Sequence, residues 1–590
     1  MPRPRKNFAV KKTRKTLFIL TLSALVSACA TLSESTYSDP EQPIESLVFE
    51  EISTDKEIDY GSFTEEQLYQ TIISELGAQR GDLKNAGENY LDLAITTKDL
   101  AIIQRAIQFA SLNGDLNALM QLGLLWSDVE PSNTQPHLML SFQFLENGNY
   151  EQALSHMARV LDLEGDVDFT ALTSRTSLSS EQERESLING LKQLTREFQN
   201  EESINIALIQ LLAQNQQLQE ALKEIKILTQ TRELSPNIVM LHGQILQSLE
   251  ETNEAIRVMR SGVGEFKQDE SLRMGLARLL IQNDELREAR EQFQIIVTQN
   301  PEDWESLYSV ALLEMELREF DNAATILKKL IEADQRFDES QYYLGLIYEQ
   351  KENLEKSIEH YRQVRIGTNN YLAAQQQATF HSITLGQLDE AHSWLVRQSA
   401  GQSRLEIFFT TIESSLLIQA NYIKEAKTLL DNALNRFPNE AELLFARVLW
   451  HDSQGDRDGS ERDLRQIIQM QPEDSRALNH LGYMLADQTT RYEEALELTE
   501  RAIAISPDDP AIIDSLAWAQ YKLGDYEQAL LNLRRAYRVF PDHEVASHLG
   551  EVLWMLERHE EAIKVWESAL EETPDSELIK EVLERFDPYK

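Results

Sequence analysis

The sequence repeats itself at a nearly constant interval, and this periodicity constrains the fold more than any other feature of the chain. A small residue flanked by apolar residues at helical spacing recurs with gaps of 34, 34, 34, 34, 34, 35, 34, 35, 34 and 33 residues. Each gap has room for two helices joined by short turns, and a single helical pair cannot bury its apolar face. The pattern therefore predicts a tandem array of stacked helical pairs. The recurring residues are Ala221, Ala255, Ala289, Ala323, Ser357, Ala391, Ala426, Ser460, Ala495, Ala529 and Ala562.

Local signals support two helices in each unit. Ala495 and Ala502 are seven residues apart, two helical turns, so they lie on one face of the same helix, where small side chains let neighbouring helices approach closely. Pro507 and Pro541 cannot continue a helix and close successive units. Gly524 permits a tight turn between the two helices of its unit.

These marks resemble the tetratricopeptide repeat, whose period is 34 residues. The resemblance includes Leu344-Gly345 with Tyr348 three residues later, and Gly524-Asp525-Tyr526 shortly before Ala529. It covers about residues 60 to 575 and implies an all-α, superhelical solenoid of helix-turn-helix units. In this family a concave surface normally recognises other proteins.

The array is most regular over residues 201–575, and the same register continues more faintly over residues 61–200, which we expect to be degenerate helical repeats. The segment Glu164 to Ser180 is rich in Asp, Ser and Thr and predicts a loop or a joint between the two parts. The faint register passes through Ala86, Ala118, Ala153 and Leu187.

Residues 576–590 predict a charged capping helix at the end of the array. The apolar residues expected on its inner side are Leu578, Ile579, Val582 and Leu583.

The first 28 residues have the order of charge and hydrophobicity that is typical of an export signal. Seven basic residues precede the apolar stretch Leu17 to Ala28, which is too short to span a membrane. Val26-Ser27-Ala28-Cys29 resembles the bacterial lipoprotein signal, which implies acylation of Cys29, the only cysteine of the chain. The alternative is a basic disordered arm in a cytosolic protein. Ala30, in place of an aspartate, favours the outer membrane by the same resemblance.

Residues 29–60 are acidic and poor in aromatic residues, which predicts a disordered tether. The whole chain carries a net charge of −42, so we expect no nucleic-acid partner and contact with the membrane only through the lipid anchor.

The sequence offers no convincing catalytic, cofactor or metal site. His543 and His548 are five residues apart, whereas a zinc-protease helix needs two histidines four apart. Gly262-Val263-Gly264 has no preceding strand and predicts a turn, and not a dinucleotide site. A triad of distant residues remains open, but a non-catalytic protein is expected.

Candidate binding residues lie about eight, eleven and fifteen positions before the recurring small residue, where the first helix of a tetratricopeptide unit lines the groove. Aromatic side chains on a concave face suit the recognition of a peptide or a partner helix. Packing against the neighbouring repeat is an equally good interpretation of each. The candidates are Tyr308, Tyr342, Phe445, Tyr483, Asp514, Trp518, Tyr521 and Trp554.

Three C-terminal blocks resemble a narrower group, the large tetratricopeptide lipoproteins of Gram-negative bacteria. The blocks are Leu478 to Asp487, Asp514 to Trp518, and His548 to Trp554. One member type of this group is the adaptor of a periplasmic carboxy-terminal processing protease that degrades peptidoglycan hydrolases. The resemblance implies a protein-binding scaffold with this protease, its substrates or both as partners. An assembly factor for pili, secretion channels or outer-membrane proteins is the alternative, a cell-wall enzyme is a remote one, and the oligomeric state is open.

Overall fold

A computed structural model describes residues 64–176, 179–199, 201–231 and 234–586. Within these ranges all regular structure is helical and no strand is present, which confirms the all-α tetratricopeptide solenoid. The described residues divide into two compact units, the first ending at Glu319 and the second beginning at Phe320. The predicted leader at 1–28, Cys29 and the tether at 29–60 lie outside the described residues.

The first unit contains helices α1 to α15. In chain order they are Glu65–Gln79, Leu83–Thr97, Leu100–Asn113, Leu116–Val129, Thr134–Glu146, Tyr150–Asp162, Thr170–Arg175, Glu181–Glu197, Glu202–Gln214, Leu218–Thr231, Pro236–Ser248, Thr252–Glu265, Glu270–Gln282, Leu286–Gln299 and Trp304–Glu316.

The second unit contains helices α16 to α31. In chain order they are Phe320–Glu332, Phe337–Gln350, Leu354–Tyr361, Tyr371–Thr384, Leu388–Gln398, Ser403–Gln419, Ile423–Arg436, Ala441–Ser453, Arg457–Met470, Ser475–Gln488, Tyr492–Ile505, Pro510–Lys522, Tyr526–Val539, His543–Met555, His559–Glu572 and Glu577–Arg585.

Every recurring small residue from Ala221 to Ala562 is the fourth residue of the second helix of its pair. Each of them is at most 1% exposed, because neighbouring helices approach closely at this position. Where the small residue is Ser357, its hydroxyl donates a hydrogen bond to the Gly345 carbonyl oxygen at 2.8 Å, so its polar group is satisfied inside the core.

First helices of consecutive repeats also contact one another. Within the second unit α25 packs on α27, and α27 packs on α29. Aspartates cap the N-termini of these helices and set where each begins: the Asp509 carboxylate accepts hydrogen bonds from the first turn of α27, and Asp542 does so for α29. Side chains on successive first helices are therefore neighbours, which positions the candidate site.

Two local predictions were wrong. The segment from Glu164 to Ser180 is not only a loop: it contains α7, which buries Phe169 and Leu172 completely. At six residues this helix is too short to show a helical period in sequence. Gly262 is not in a turn but inside α12, where a Cβ atom would overlap the Val239 side chain.

The capping helix is present as α31, with Ile579 and Val582 buried. Leu578 is 37% exposed, so the prediction that it lies on the inner side was wrong. This helix has nine residues, and only two of its four predicted apolar residues are fully buried. The division at Glu319 falls inside the segment 201–575, and the sequence boundary at 200 stays a prediction. Among the described residues no helix has both the length and the apolar character needed to cross a bilayer.

Candidate protein-binding site

Three of the eight predicted binding residues lie on helices that precede α25 in the chain. Tyr308 is buried in α15 of the first unit. Tyr342, in α17, is also buried and its ring lies 5.6 Å from that of Tyr361. Phe445, in α23, is half-buried and meets His480 edge to face at 5.7 Å.

The remaining five residues occupy three consecutive first helices near the C-terminus. Tyr483 is on α25, Asp514, Trp518 and Tyr521 are on α27, and Trp554 is on α29. Asp514 and Trp518 are four residues apart, so they share one helix face, and Tyr521 follows one turn later.

The centre of this region is a stack of four rings, which we call the aromatic cluster: Tyr483, Trp518, Tyr521 and His548. The Trp518 ring lies 4.0 Å from His548 and 4.8 Å from Tyr521, nearly parallel to both. Tyr483 lies 6.0 Å from His548. Such ring pairs stabilise beyond the area that they bury, and here they join the three first helices of successive repeats.

Polar and charged groups fix Trp518 from two sides. Its indole N–H donates to the Asp487 carboxylate at 3.3 Å, which links α27 back to α25. The Lys522 ammonium lies 4.6 Å from the ring centroid, in a cation–π geometry.

Asp514 forms the most buried ionisable pair of the cluster, with His548. The His548 Nδ1 atom is 3.0 Å from each carboxylate oxygen of Asp514, and both residues are 5% exposed. Burial lowers the pKa of His548, but the carboxylates of Asp514, Glu544 and Glu551 together raise it further, so the net direction of the pKa is upward. The pair joins α27 to α29 by a charge-assisted hydrogen bond.

Two tyrosines donate to carboxylates at the edge of the cluster. The Tyr483 hydroxyl donates to Glu544 at 2.8 Å, and burial together with this carboxylate raises the pKa of Tyr483. The Tyr521 hydroxyl donates to Glu551 at 3.4 Å, and burial with the nearby Glu551 raises its pKa to about 12. Both tyrosines therefore stay protonated donors at neutral pH.

Glu551 also connects the aromatic cluster to the end of the array. It is 5% exposed and forms an ion pair with Arg585 of α31. Trp554, one turn after Glu551, lies 4.2 Å from the His559 ring and 5.5 Å from Phe586. Trp554 therefore packs within the last repeat and not in the aromatic cluster itself.

The exposed fraction of each side chain shows which candidate residues are buried against neighbouring repeats and which a partner can reach. Trp518 is 4% exposed and Asp514 is 5% exposed, so their present contacts are with neighbouring repeats. Tyr483, Tyr521 and Trp554 are half-buried and offer ring edges to solvent. These edges, beside carboxylates that accept hydrogen bonds, can hold an apolar or basic group of a partner.

Sequence reasoning missed the partners of the predicted residues. His548 lies 34 residues after Asp514, one repeat later, so the two occupy equivalent positions that stack in the array. The repeat interval could have predicted this contact. Arg585 likewise lies 34 residues after Glu551.

The sequence matches known tetratricopeptide-repeat proteins. The tetratricopeptide repeat matches residues 274–336, 311–371, 448–510 and 515–577. The TPR repeat-containing protein PA4667 of Pseudomonas aeruginosa is 32% identical over 538 residues, covering 91% of this chain and 90% of that protein. The chain belongs to the tetratricopeptide-repeat family. Proteins of this family generally act as non-catalytic scaffolds for protein–protein interactions.

More distant tetratricopeptide-repeat proteins match shorter parts of the chain. The small glutamine-rich tetratricopeptide repeat-containing protein 2 of Mycosarcoma maydis is 26% identical over 125 residues, 21% of this chain and 33% of that protein. The solved structure of a tetratricopeptide repeat protein from Parabacteroides merdae is 17% identical, covers 44% of this chain and 97% of that chain, and has a TM-score of 0.31.

Proposed function

We propose that this tetratricopeptide-repeat protein is a lipid-anchored, non-catalytic adaptor on the periplasmic face of the outer membrane. It brings a carboxy-terminal processing protease together with its cell-wall hydrolase substrates. The coarser part, a scaffold for protein interactions, follows from the repeat family; the anchor, the compartment and the protease are the proposal.

One observation supports the adaptor proposal. The three blocks that resemble the large tetratricopeptide lipoproteins, a group that includes the protease adaptor, lie in α25, α27 and α29. Those helices supply the aromatic cluster and the Asp514–His548 pair. The blocks therefore meet in space, as the residues of one recognition surface would.

The proposed mechanism is tethering. Acyl chains at Cys29 would hold the protein at the membrane, because each buried CH₂ contributes about 0.8 kcal/mol. The segment 29–60 would give the array reach, and the array would hold protease and substrate at high effective concentration. No residue of this chain takes part in bond cleavage in this scheme.

Affinity capture from a bacterial envelope extract tests the proposal. The purified chain is expected to retain a carboxy-terminal processing protease, cell-wall hydrolases or both, identified by mass spectrometry. Capture of pilus, secretion-channel or outer-membrane assembly subunits instead would contradict it, and so would peptidoglycan hydrolysis by the purified chain alone.

A variant pair connects the capture to the candidate site. The combined Tyr521→Ala, Trp554→Ala variant removes two half-buried rings at the edge of the site and is expected to lose the captured protease. The matched control, Leu531→Ala with Val539→Ala, removes apolar side chains that are 64% and 63% exposed on α28, the second helix of the same repeat. The control is expected to capture as the native chain does.

A further inference from the structure

The second unit contains a cavity of about 450 Å³ between α20, α21 and α22. Helix α20 has 11 residues, whereas α22, the next second helix, has 14. Helix α21 has 17 residues and packs only loosely on α20. The cavity is lined by residues of all three helices.

Glu413 of α21 lines the cavity and is 5% exposed. Its Oε2 atom lies 3.1 Å from Nδ1 of His392 on α20. No hydrogen-bond donor within the described ranges reaches its other oxygen, Oε1. Oε1 is not one of the buried side-chain atoms that lack a partner, so it is open to the cavity and can accept a hydrogen bond from a ligand.

Part of the cavity wall is apolar. Leu395 and Phe409 are each 2% exposed and Leu417 is 4% exposed, and all three line it. The aliphatic stem of a long side chain would pack against these residues while its charged end reaches Glu413.

The charges around the cavity favour a cation. Asp389 and Glu425 are exposed at its rim, and Lys424 lies beside them. Arg436 is already engaged by Glu406, with a hydrogen bond of 3.0 Å. Negative charge therefore exceeds free positive charge at this site, in a chain whose overall charge is −42.

We propose that this cavity binds a partner peptide through one basic side chain, which donates to the free oxygen of Glu413 and packs its stem on Leu395 and Phe409. The inference goes beyond the proposed function, because its lining contains none of the aromatic-cluster residues and its test needs no protease. The cavity exceeds one side chain in size, so an apolar residue next to the basic one fits in the same space.

Fluorescence anisotropy with two defined peptides tests this site on the full chain. The probe is the acetylated and amidated peptide Gly-Ser-Leu-Arg-Leu-Ser-Gly, and its partner carries citrulline, an uncharged isostere, in place of arginine. We expect the arginine peptide to bind at least about tenfold more tightly, since a charge-assisted bond to a buried carboxylate is lost with citrulline. Equal affinity for the two peptides, or no saturable binding of the arginine peptide at millimolar concentration, would overturn the proposal.

Two substitutions assign the effect to the buried carboxylate. Glu413→Gln is expected to remove the preference for arginine, whereas Glu425→Gln, which removes the same charge from an exposed rim position, should change affinity less than about twofold. Equal losses in both variants would mean that only the rim charge attracts the peptide, and would contradict the proposal.

Hydrogen exchange tests the site on the native chain. Because no residue is substituted, a folding defect cannot affect the result. The arginine peptide is expected to slow amide exchange in α20, α21 and α22. Protection confined to other helices would overturn the assignment of the cavity.

Discussion

The imidazole Nδ1 of His548 lies 3.0 Å from both carboxylate oxygens of Asp514, one repeat earlier in the chain. Both residues are 5% exposed, and the Trp518 ring covers the imidazole at 4.0 Å. This pair ties two successive first helices together at the centre of the candidate site. It therefore links the stability of the last repeats to the residues proposed to support binding.

Asp514→Asn is expected to destabilise α27 and α29 by about 2 kcal/mol at pH 6, because a buried charge-assisted pair is lost while Asn still accepts a hydrogen bond. Hydrogen exchange of the amides in these two helices measures this local free energy of unfolding. The control is Asp508→Asn at a residue whose side chain is 94% exposed, where a change below about 0.5 kcal/mol is expected.

The same pair predicts a pH dependence with a definite sign. The folded pKa of His548 is raised above the unfolded value of about 6.5, so the pair stabilises fully below the unfolded pKa. This stabilisation is lost as the pH rises through the folded pKa. The difference between the native chain and Asp514→Asn should therefore shrink from pH 6 to pH 9. A difference that grows over this range would contradict the assignment of a protonated His548.

Trp518→Ala is expected to destabilise the C-terminal repeats by about 3 kcal/mol, since it removes a ring that is 4% exposed and stacked on two neighbours. Thermal unfolding followed by circular dichroism measures the change. Leu531→Ala, at a side chain that is 64% exposed on the adjacent helix, should leave the transition almost unchanged. A comparably small effect of Trp518→Ala would mean that this ring is free for a partner and not part of the packing.

Two glycines in helices predict opposite effects of the same substitution. A Cβ atom on Gly345 would lie 2.6 Å from ring atoms of the fully buried Tyr361, so Gly345→Ala should destabilise by about 1 to 3 kcal/mol. A Cβ atom on Gly264 meets nothing within 4 Å, so Gly264→Ala should stabilise by about 0.5 kcal/mol through helix propensity. Denaturant unfolding of both variants checks the signs.

Cys29→Ala tests the lipid anchor. The native chain, expressed in a Gram-negative host, is expected to incorporate labelled palmitate and to sediment with outer membranes. The variant should lose the label and be absent from the outer-membrane fraction, because the thiol that carries the lipid is gone. Sedimentation of the variant with outer membranes would contradict attachment through the lipid.

The repeat interval predicted the helical pairs well, because one packing constraint is imposed on every unit. Ala221, Ala255 and their successors all occupy the same position of a second helix, as the spacing required. The interval also implies the contact between Asp514 and His548, because equivalent positions of adjacent repeats stack.

The sequence did not predict the places where the structure departs from the regular repeat. The sequence of α20, which ends at Gln398 shortly before Gly401, does not show that a cavity lies beside Glu413. His392 and Glu413 are 21 residues apart, an interval that matches neither a helical turn nor a repeat. The candidate groove residues were chosen by position alone, which could not separate the buried Trp518 from the half-buried Tyr521.

Reconstitution from purified components tests the adaptor role most directly. A carboxy-terminal processing protease from the same envelope is mixed with one of its cell-wall hydrolase substrates, with and without this chain, and the rate of substrate loss is followed on gels. The account predicts a rate at least about tenfold higher with the chain present, and no substrate loss with the chain alone. An unchanged rate at chain concentrations that saturate any binding to the protease would contradict it.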